Sequence, residues 1–264
     1  MRVGTYNVRV IGTESDEQNN WENRKTRVVQ SIRDNDFDFF ALQECSSDIQ
    51  TYLSTELADT YNIRYFSPYS QDGNGNKAQG LAYKKDFTLT DWNYFWVDDF
   101  DHTYMQTNDT GSEGSYNRGG LCGVLTKGDM HIFVMATHGM MNAGPREEKA
   151  GVYEYLEKLY NTSGYPSLFI GDMNARPDDP ATATYRSYWT DAYDGAGAAR
   201  RSGPFATFNA FNLSRNMYSN NSRIDYIYYR GGVTPLGYVC NDTRYDGYYA
   251  SDHLPIYADI RIEQ

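Results

Sequence analysis

The chain has little of what would make it a thiol, zinc or membrane protein. Its 264 residues include only three cysteines, Cys45, Cys122 and Cys240, odd in number and far apart. That spacing excludes a disulfide framework, beyond a single pair, and provides no thiolate metal site. Histidine is scarce as well, at four. No Cys-x-x-Cys, His-Glu-x-x-His or Gly-x-Ser-x-Gly segment occurs, and Gly73 to Lys77 lacks the Lys-Ser/Thr ending of a phosphate-binding loop. No apolar run approaches the roughly 20 residues of a membrane span. Basic residues are also short, with 24 Lys and Arg against 35 Asp and Glu, a net charge of -11. Such a field disfavours nucleic acid as a partner, although a divalent metal reverses it locally and a nuclease stays open.

What is present is core material. The hydrophobic share is 40%, and 25 tyrosines make the chain too aromatic for disorder. The length suits one large domain, expected over residues 1–264 in the absence of any linker-like stretch. A monomer is expected. Met1 to Val10 already alternate like a strand, so no targeting signal is expected, which leaves cytoplasmic and exported locations both open.

Alternation and turn residues predict strands at Arg2 to Val10, Phe37 to Gln43, Tyr61 to Phe66, Gly80 to Lys85 and Thr88 to Val97. Further strands are expected at Gly119 to Thr126, Met130 to Thr137, Ser167 to Asp172, Phe205 to Phe208, Arg223 to Tyr229, Leu236 to Cys240 and Leu254 to Ile262. Helical spacing appears at Trp21 to Ile32, around Ile49, Leu53 and Leu57, and over Pro145 to Tyr160. Asp72 to Asn76 reads as a turn, Asp98 to Asn117 as a surface loop, and the stretch after Asn174 as a Pro/Asp-rich loop. Many strands with helices interleaved predict an α/β protein of two packed sheets with helices outside.

Polar residues gather at the predicted strand ends: Asn7, Glu44, His138, Asp172 with Asn174, Asp225, and Asp252-His253. Asp172 and Asn174 are two residues apart, so both side chains leave the strand end the same way. The plain alternative is a turn, which Asp and Asn both favour. Asp225 has its own alternative, a salt bridge to Arg223. In a sandwich such ends can converge at one rim. Oxygen ligands of this kind suit Mg²⁺ or Mn²⁺, whereas Zn²⁺ would prefer more His and Cys. A hard cation beside His and carboxylates is equipment for hydrolysing phosphate esters.

Six short motifs, in order over nearly the whole chain, resemble the endonuclease/exonuclease/phosphatase superfamily. They are Thr5-Tyr6-Asn7-Val8-Arg9, Leu42-Gln43-Glu44, Ala136-Thr137-His138, Gly171-Asp172-Met173-Asn174, Arg223-Ile224-Asp225-Tyr226 and Ser251-Asp252-His253-Leu254-Pro255. The resemblance implies a four-layer α/β/β/α sandwich of two mainly antiparallel sheets. It implies Glu44 as principal metal ligand with Asn7 and Asp252 nearby, and Asp172 as the group that orients or deprotonates the attacking water. It implies Asn174 and Arg118 on phosphate oxygens, His253 stabilising phosphoryl charge with Asp225 fixing it, and His138 as a second donor or acid. His102 and His131 receive no role.

Departures narrow this. His138 argues against the apurinic-endonuclease branch, and Arg223-Ile224-Asp225 replaces the Cys-Asp-Arg expected of 5-phosphatases. Gly139-Met140 follows His138 where many relatives carry Leu, and Glu44 is followed by no basic arm. Trp92 to Trp96 alternates as a core strand does, against the alternative of an aromatic membrane hairpin. The expectation is a metal-dependent phosphoesterase whose activated water attacks a phosphomonoester or phosphodiester, with a small or lipid-derived substrate. A metal-dependent nuclease is the alternative, and a non-catalytic binding module of the same fold the third reading.

Overall fold

The computed structural model describes residues 1–66, 78–97 and 118–263. In chain order its strands are β1 (Arg2–Asn7), β2 (Phe39–Cys45), β3 (Tyr61–Phe66), β4 (Ala78–Lys84), β5 (Thr88–Trp96), β6 (Gly119–Lys127) and β7 (Met130–His138). They continue with β8 (Ser167–Asp172), β9 (Thr190–Asp191), β10 (Arg201–Ser202), β11 (Asp225–Arg230), β12 (Val233–Cys240) and β13 (Ile256–Ile262). The helices are α1 (Trp21–Asn35), α2 (Ser47–Glu56), α3 (Ala143–Lys149), α4 (Val152–Tyr160), α5 (Pro180–Tyr188) and α6 (Ala192–Ala196). One sheet runs β10-β12-β13-β1-β2-β4-β3 and the other β5-β6-β7-β8-β11-β9.

Period-two alternation builds the layers. Val3, Phe39, Ala41 and Leu81 of the first sheet meet Leu121, Val134, Ala136, Ile170 and Ile227 of the second. The intervening residues face outward. Tyr6, Phe40 and Leu42 pack under Val28, Ile32 and Leu53 of α1 and α2. Phe133, Met135, Phe169 and Tyr228 pack under Tyr153, Leu156 and Tyr185 of α4 and α5. Each fully buried side chain of this size contributes about 1.5–3 kcal/mol. The result is the expected four-layer α/β/β/α sandwich, its sheets mixed because β1 runs parallel to β2 and β7 to β8.

Those two parallel pairs matter for the site, since they bring two strand C-termini to one edge in each sheet. Close backbone approach keeps the ends together. Gly139 donates its N–H to the Asp172 carbonyl at 2.6 Å, and a Cβ there would lie 2.4 Å from the Met173 carbonyl oxygen. A side chain at position 139 would therefore require the Met173 backbone to shift.

Four expectations change. The Pro145 to Tyr160 helix is two helices, divided at Ala150-Gly151, where glycine lowers helix propensity. The Pro/Asp-rich loop contains α5, whose Asp179 caps the Ala181 N–H and whose Pro180 occupies the first turn. Phe205 to Phe208 forms only an isolated bridge, Phe208 to His253. The Trp92 to Trp96 stretch is a strand, but an edge one, where Phe95 is buried and Trp92 lies under the Arg64 guanidinium at 3.8 Å. The predicted turn at residues 72–76, the loop at 98–117 and His102 lie outside the described residues. His131 stacks on Tyr165 at 4.9 Å, away from the strand ends discussed next.

Candidate active site

At the end of β2 the ladder slips. Leu42 pairs with Gly80 and Cys45 with Ala78, so Gln43 and Glu44 together face Gln79. Glu44 takes up this bulge with φ 62°, a left-handed conformation that costs a non-glycine residue about 1–2 kcal/mol. Arg9, after β1, and Asn174, after β8, are left-handed too, with φ 58° and 51°. Three strained residues at three strand ends on one edge mark a place where the backbone is bent to aim side chains.

Across β7, β8 and β11, His138, Asp172 and Asp225 stand in register. All three side chains are buried. Asp172 is the hub. Its Oδ2 accepts from Asn7 Nδ2 at 3.0 Å and lies 3.3 Å from His138 Nε2 and 3.7 Å from His253 Nε2. Its Oδ1 accepts the Asn174 N–H at 2.8 Å. Burial alone would raise this carboxyl, but the charges of His253 and His138 hold it well below the usual range.

His253 is fixed from behind. Its Nδ1 lies 2.9 Å from Asp225 Oδ2, which also accepts the Thr207 hydroxyl at 2.5 Å. The Thr207 oxygen itself accepts the N–H groups of Ile224 and Asp225, at 3.0 and 3.2 Å. With both lone pairs used, its one proton goes to Asp225, so that carboxylate accepts and His253 Nδ1 donates. Burial would lower the His253 imidazolium, yet Asp225 and Asp172 push it up to about 10. His138 goes the other way, lowered by burial and by the charge of Arg118. The two histidines beside Asp172 are therefore shifted in opposite directions.

On the β1 side, Ser251 donates its hydroxyl to the Asn7 carbonyl at 2.7 Å, tying Asp252 to the strand end. The buried Arg24 of α1 donates to the carbonyls of Val8, Arg9 and Ala250. Arg9 reaches Asp252 at 3.6 Å, and the Val10 N–H bonds Glu44 at 2.9 Å. Burial pushes the Asp252 carboxyl up, and the charge of Glu44 adds to this.

Every residue expected at the site is at this edge. Asn7, His138, Asp172, Asp225 and His253 touch one another, Glu44 and Asp252 sit close enough to feel each other's charge, and Arg118 acts on His138. Asn174 spends one amide hydrogen on the Gly139 carbonyl at 3.0 Å and keeps a second. The alternative for Asp225 falls away, because Arg223 pairs with Asp191 at 2.7 Å and stacks on Tyr226 at 4.4 Å. Sequence reasoning missed Thr207, which lies in no motif, and gave no role to Ser251, although that residue opens the last motif. It also missed Phe208, whose ring packs 5.0 Å from that of His253.

Two groups here could hold a metal. Asp172, Asp225 and His253 offer ligand atoms all within 4.8 Å of one another. Their atoms are, however, already engaged with Asn7, Thr207 and each other. Glu44, Asn7 and Asp252 supply hard oxygens as well, which meet the Val10 and Arg9 N–H groups, the Ser251 hydroxyl and the Arg9 guanidinium, and the charge of half-buried Glu44 adds to burial in raising the Asp252 carboxyl.

The model of the Endonuclease/Exonuclease/phosphatase family matches residues 4–253. No curated protein matches the sequence. Among solved structures, a functionally unknown conserved protein from Enterococcus faecalis is 24% identical, with a TM-score of 0.86 and all of both chains covered. An endonuclease/exonuclease/phosphatase from Bacteroides vulgatus is also 24% identical, with a TM-score of 0.83 over 99% of this chain and 98% of that one. A mannosyl-6-phosphatase from Bacteroides thetaiotaomicron is 21% identical, with a TM-score of 0.82 over 99% of this chain and 100% of that one. At these identities the likeness is one of fold.

Proposed function

The chain belongs to the endonuclease/exonuclease/phosphatase family, and from that premise we propose that it hydrolyses a phosphate ester by attack of a positioned water. Members of the family are generally divalent-metal-dependent hydrolases of phosphate esters. The observation that carries the reading for this chain is the buried relay Thr207–Asp225–His253–Asp172, closed by Asn7 and His138. A core has no use for that many ionisable groups; a reacting phosphoryl group does.

Glu44, Asn7 and Asp252 would hold the cation, with Mg²⁺ or Mn²⁺ matching their oxygen donors. When bound, such an ion polarises a phosphoryl oxygen and favours water attack. Asp172, held ionised by its neighbours, orients the attacking water more readily than it takes its proton, since a strongly depressed pKa makes a weak base. The His253 cation meets charge developing on the phosphoryl oxygens, and Asp225 keeps its Nε2 aimed at Asp172. The second Asn174 amide hydrogen and the Arg118 guanidinium serve as oxygen clamps. His138 stands across Asp172 as a further donor.

The net charge of -11 supports a small or lipid-derived substrate over a nucleic acid. The shared fold with a mannosyl-6-phosphatase supports placing sugar phosphates among the candidates. The test is a panel of sugar phosphates, other phosphomonoesters, phosphodiesters, phospholipids and oligonucleotides with Mg²⁺ or Mn²⁺. Turnover of a small or lipid ester, absent from Asp172→Asn, supports the reading. Cleavage confined to oligonucleotides makes the protein a nuclease, and no metal-dependent turnover of any class refutes catalysis by this route.

A further inference from the structure

Gln43 and Gln79 oppose each other on β2 and β4 at the bulge, and both are fully buried. Ala41 and Leu81, each two residues away along the same strands, face the space between the sheets. The period of two therefore puts both amides in that interior, one residue from Glu44. The Thr5 hydroxyl donates to Gln43 Oε1 at 3.1 Å. Among the described residues, Gln43 Nε2, Gln79 Nε2 and Gln79 Oε1 have no hydrogen-bond partner.

Buried polar atoms in native proteins are nearly always bonded to protein or to ordered water. Two inward-facing amides on adjacent strands, with three atoms unmet, make a polar niche inside an otherwise apolar layer. Its chemistry selects the occupant. A cation would leave the two NH₂ groups unmet and an anion would leave the carbonyl unmet, whereas water both accepts and donates. We propose that Gln43 and Gln79 enclose a buried water site between the sheets, and that this hydrated pair holds the bulge that aims Glu44. At the bulge two residues of β2 face one of β4 and the regular ladder is interrupted. Amide-to-water bonds then join the strands at that level, so Glu44 keeps its left-handed conformation. The effect on metal binding rests on Glu44 being a ligand; the water site stands on the unmet amides alone.

High-resolution crystal structures of the metal-free wild type and of Gln79→Leu test this, together with Mn²⁺ titration by electron paramagnetic resonance. The wild type is expected to show solvent density within hydrogen-bonding reach of Gln43 Nε2 and the Gln79 amide. A direct Gln43–Gln79 bond without solvent overturns the water site. In Gln79→Leu the solvent should be lost, Glu44 should leave its left-handed conformation, and the Mn²⁺ dissociation constant should rise about tenfold. Glu44 unmoved overturns the positioning role. Gln79→Met serves the same arm if the leucine variant does not fold. If the wild type itself binds no Mn²⁺, the ligand role of Glu44 fails, while density and Glu44 conformation in the two crystals still decide the water site.

Discussion

The two ends of the sandwich carry similar residues and treat them differently. At the end opposite the site, Asp38 accepts the Arg2 N–H at 2.7 Å and meets Lys84 at 3.1 Å, Lys84 also pairs with Asp36, and Arg2 pairs with Asp259 at 3.0 Å. Each of these carboxylates has a Lys or Arg partner, and the pairs sit at least partly in water. At the site end Asp172 and Asp225 are buried, and their facing partners are histidines, an asparagine and a threonine. Lys and Arg thus pair the carboxylates of the far end directly, whereas at the site end Arg9 reaches Asp252 but no Lys or Arg pairs with Asp172 or Asp225 among the described residues. Where carboxylates are left to titratable or neutral partners deep in the protein, the arrangement is ready to respond to a further charge, as a phosphoryl group or metal would bring.

This contrast can be broken by mutation. Asp172→Asn should lower turnover about 100- to 10,000-fold while the protein stays folded, measured by phosphate release and thermal melting. Survival of activity would reduce the hub to a packing feature. Glu44→Gln should weaken Mn²⁺ binding at least about tenfold, read by paramagnetic resonance, with the melting temperature of the metal-free protein little changed. Unaltered affinity would move the metal to the Asp172, Asp225 and His253 group. Thr207→Val should cost about 1–2 kcal/mol of transition-state stabilisation, roughly tenfold in kcat, and Thr207→Ser should restore it. A loss that serine does not recover would mean that threonine packing, not its proton, matters.

The smallest effect belongs to the other end. Lys84→Met should change stability by about 1 kcal/mol and leave kcat alone, because ion pairs that keep contact with water contribute little. Burial would raise the Asp38 carboxyl, but the Arg2 N–H and Lys84 lower it. Its folded value lies below its unfolded one, so its contribution is present above the ordinary aspartate range and fades as pH falls through the folded value. Urea melts of wild type and Asp38→Asn should therefore converge toward acid; a gap that persists there would show that Asp38 acts other than by charge.

The layers were legible because period-two alternation survives in nearly every strand, and the site because Asn7, Glu44, His138, Asp172 and Asp225 sit where those periods stop. Legibility failed where backbone chemistry decides. Thr207 orients Asp225 through two main-chain N–H groups, which no spacing of side chains reveals. The α5 start hid because Asp179-Pro180 signals a loop as readily as a capped first turn. The choice between Asp191 and Asp225 for Arg223 is a tertiary fact, since 32 residues separate Arg223 from the partner it takes. Gln43, though inside a recognised motif, has an environment that exists only once β4 lies beside it.

Arg24 also links parts of the molecule whose local unfolding would otherwise be independent. From the first turn of α1 it grips the carbonyls of Val8, Arg9 and Ala250, so that turn, the end of β1 and the approach to Asp252 should open together. Asp252 and His253 are also held from the other side, by the Asn209 and Ala210 N–H groups on the Asp252 carbonyl and by the Leu254 N–H on that of Thr207. Fraying at the start of α1 should therefore loosen the end of β1, and amide exchange in Val8 to Val10 should keep pace with exchange in that first turn.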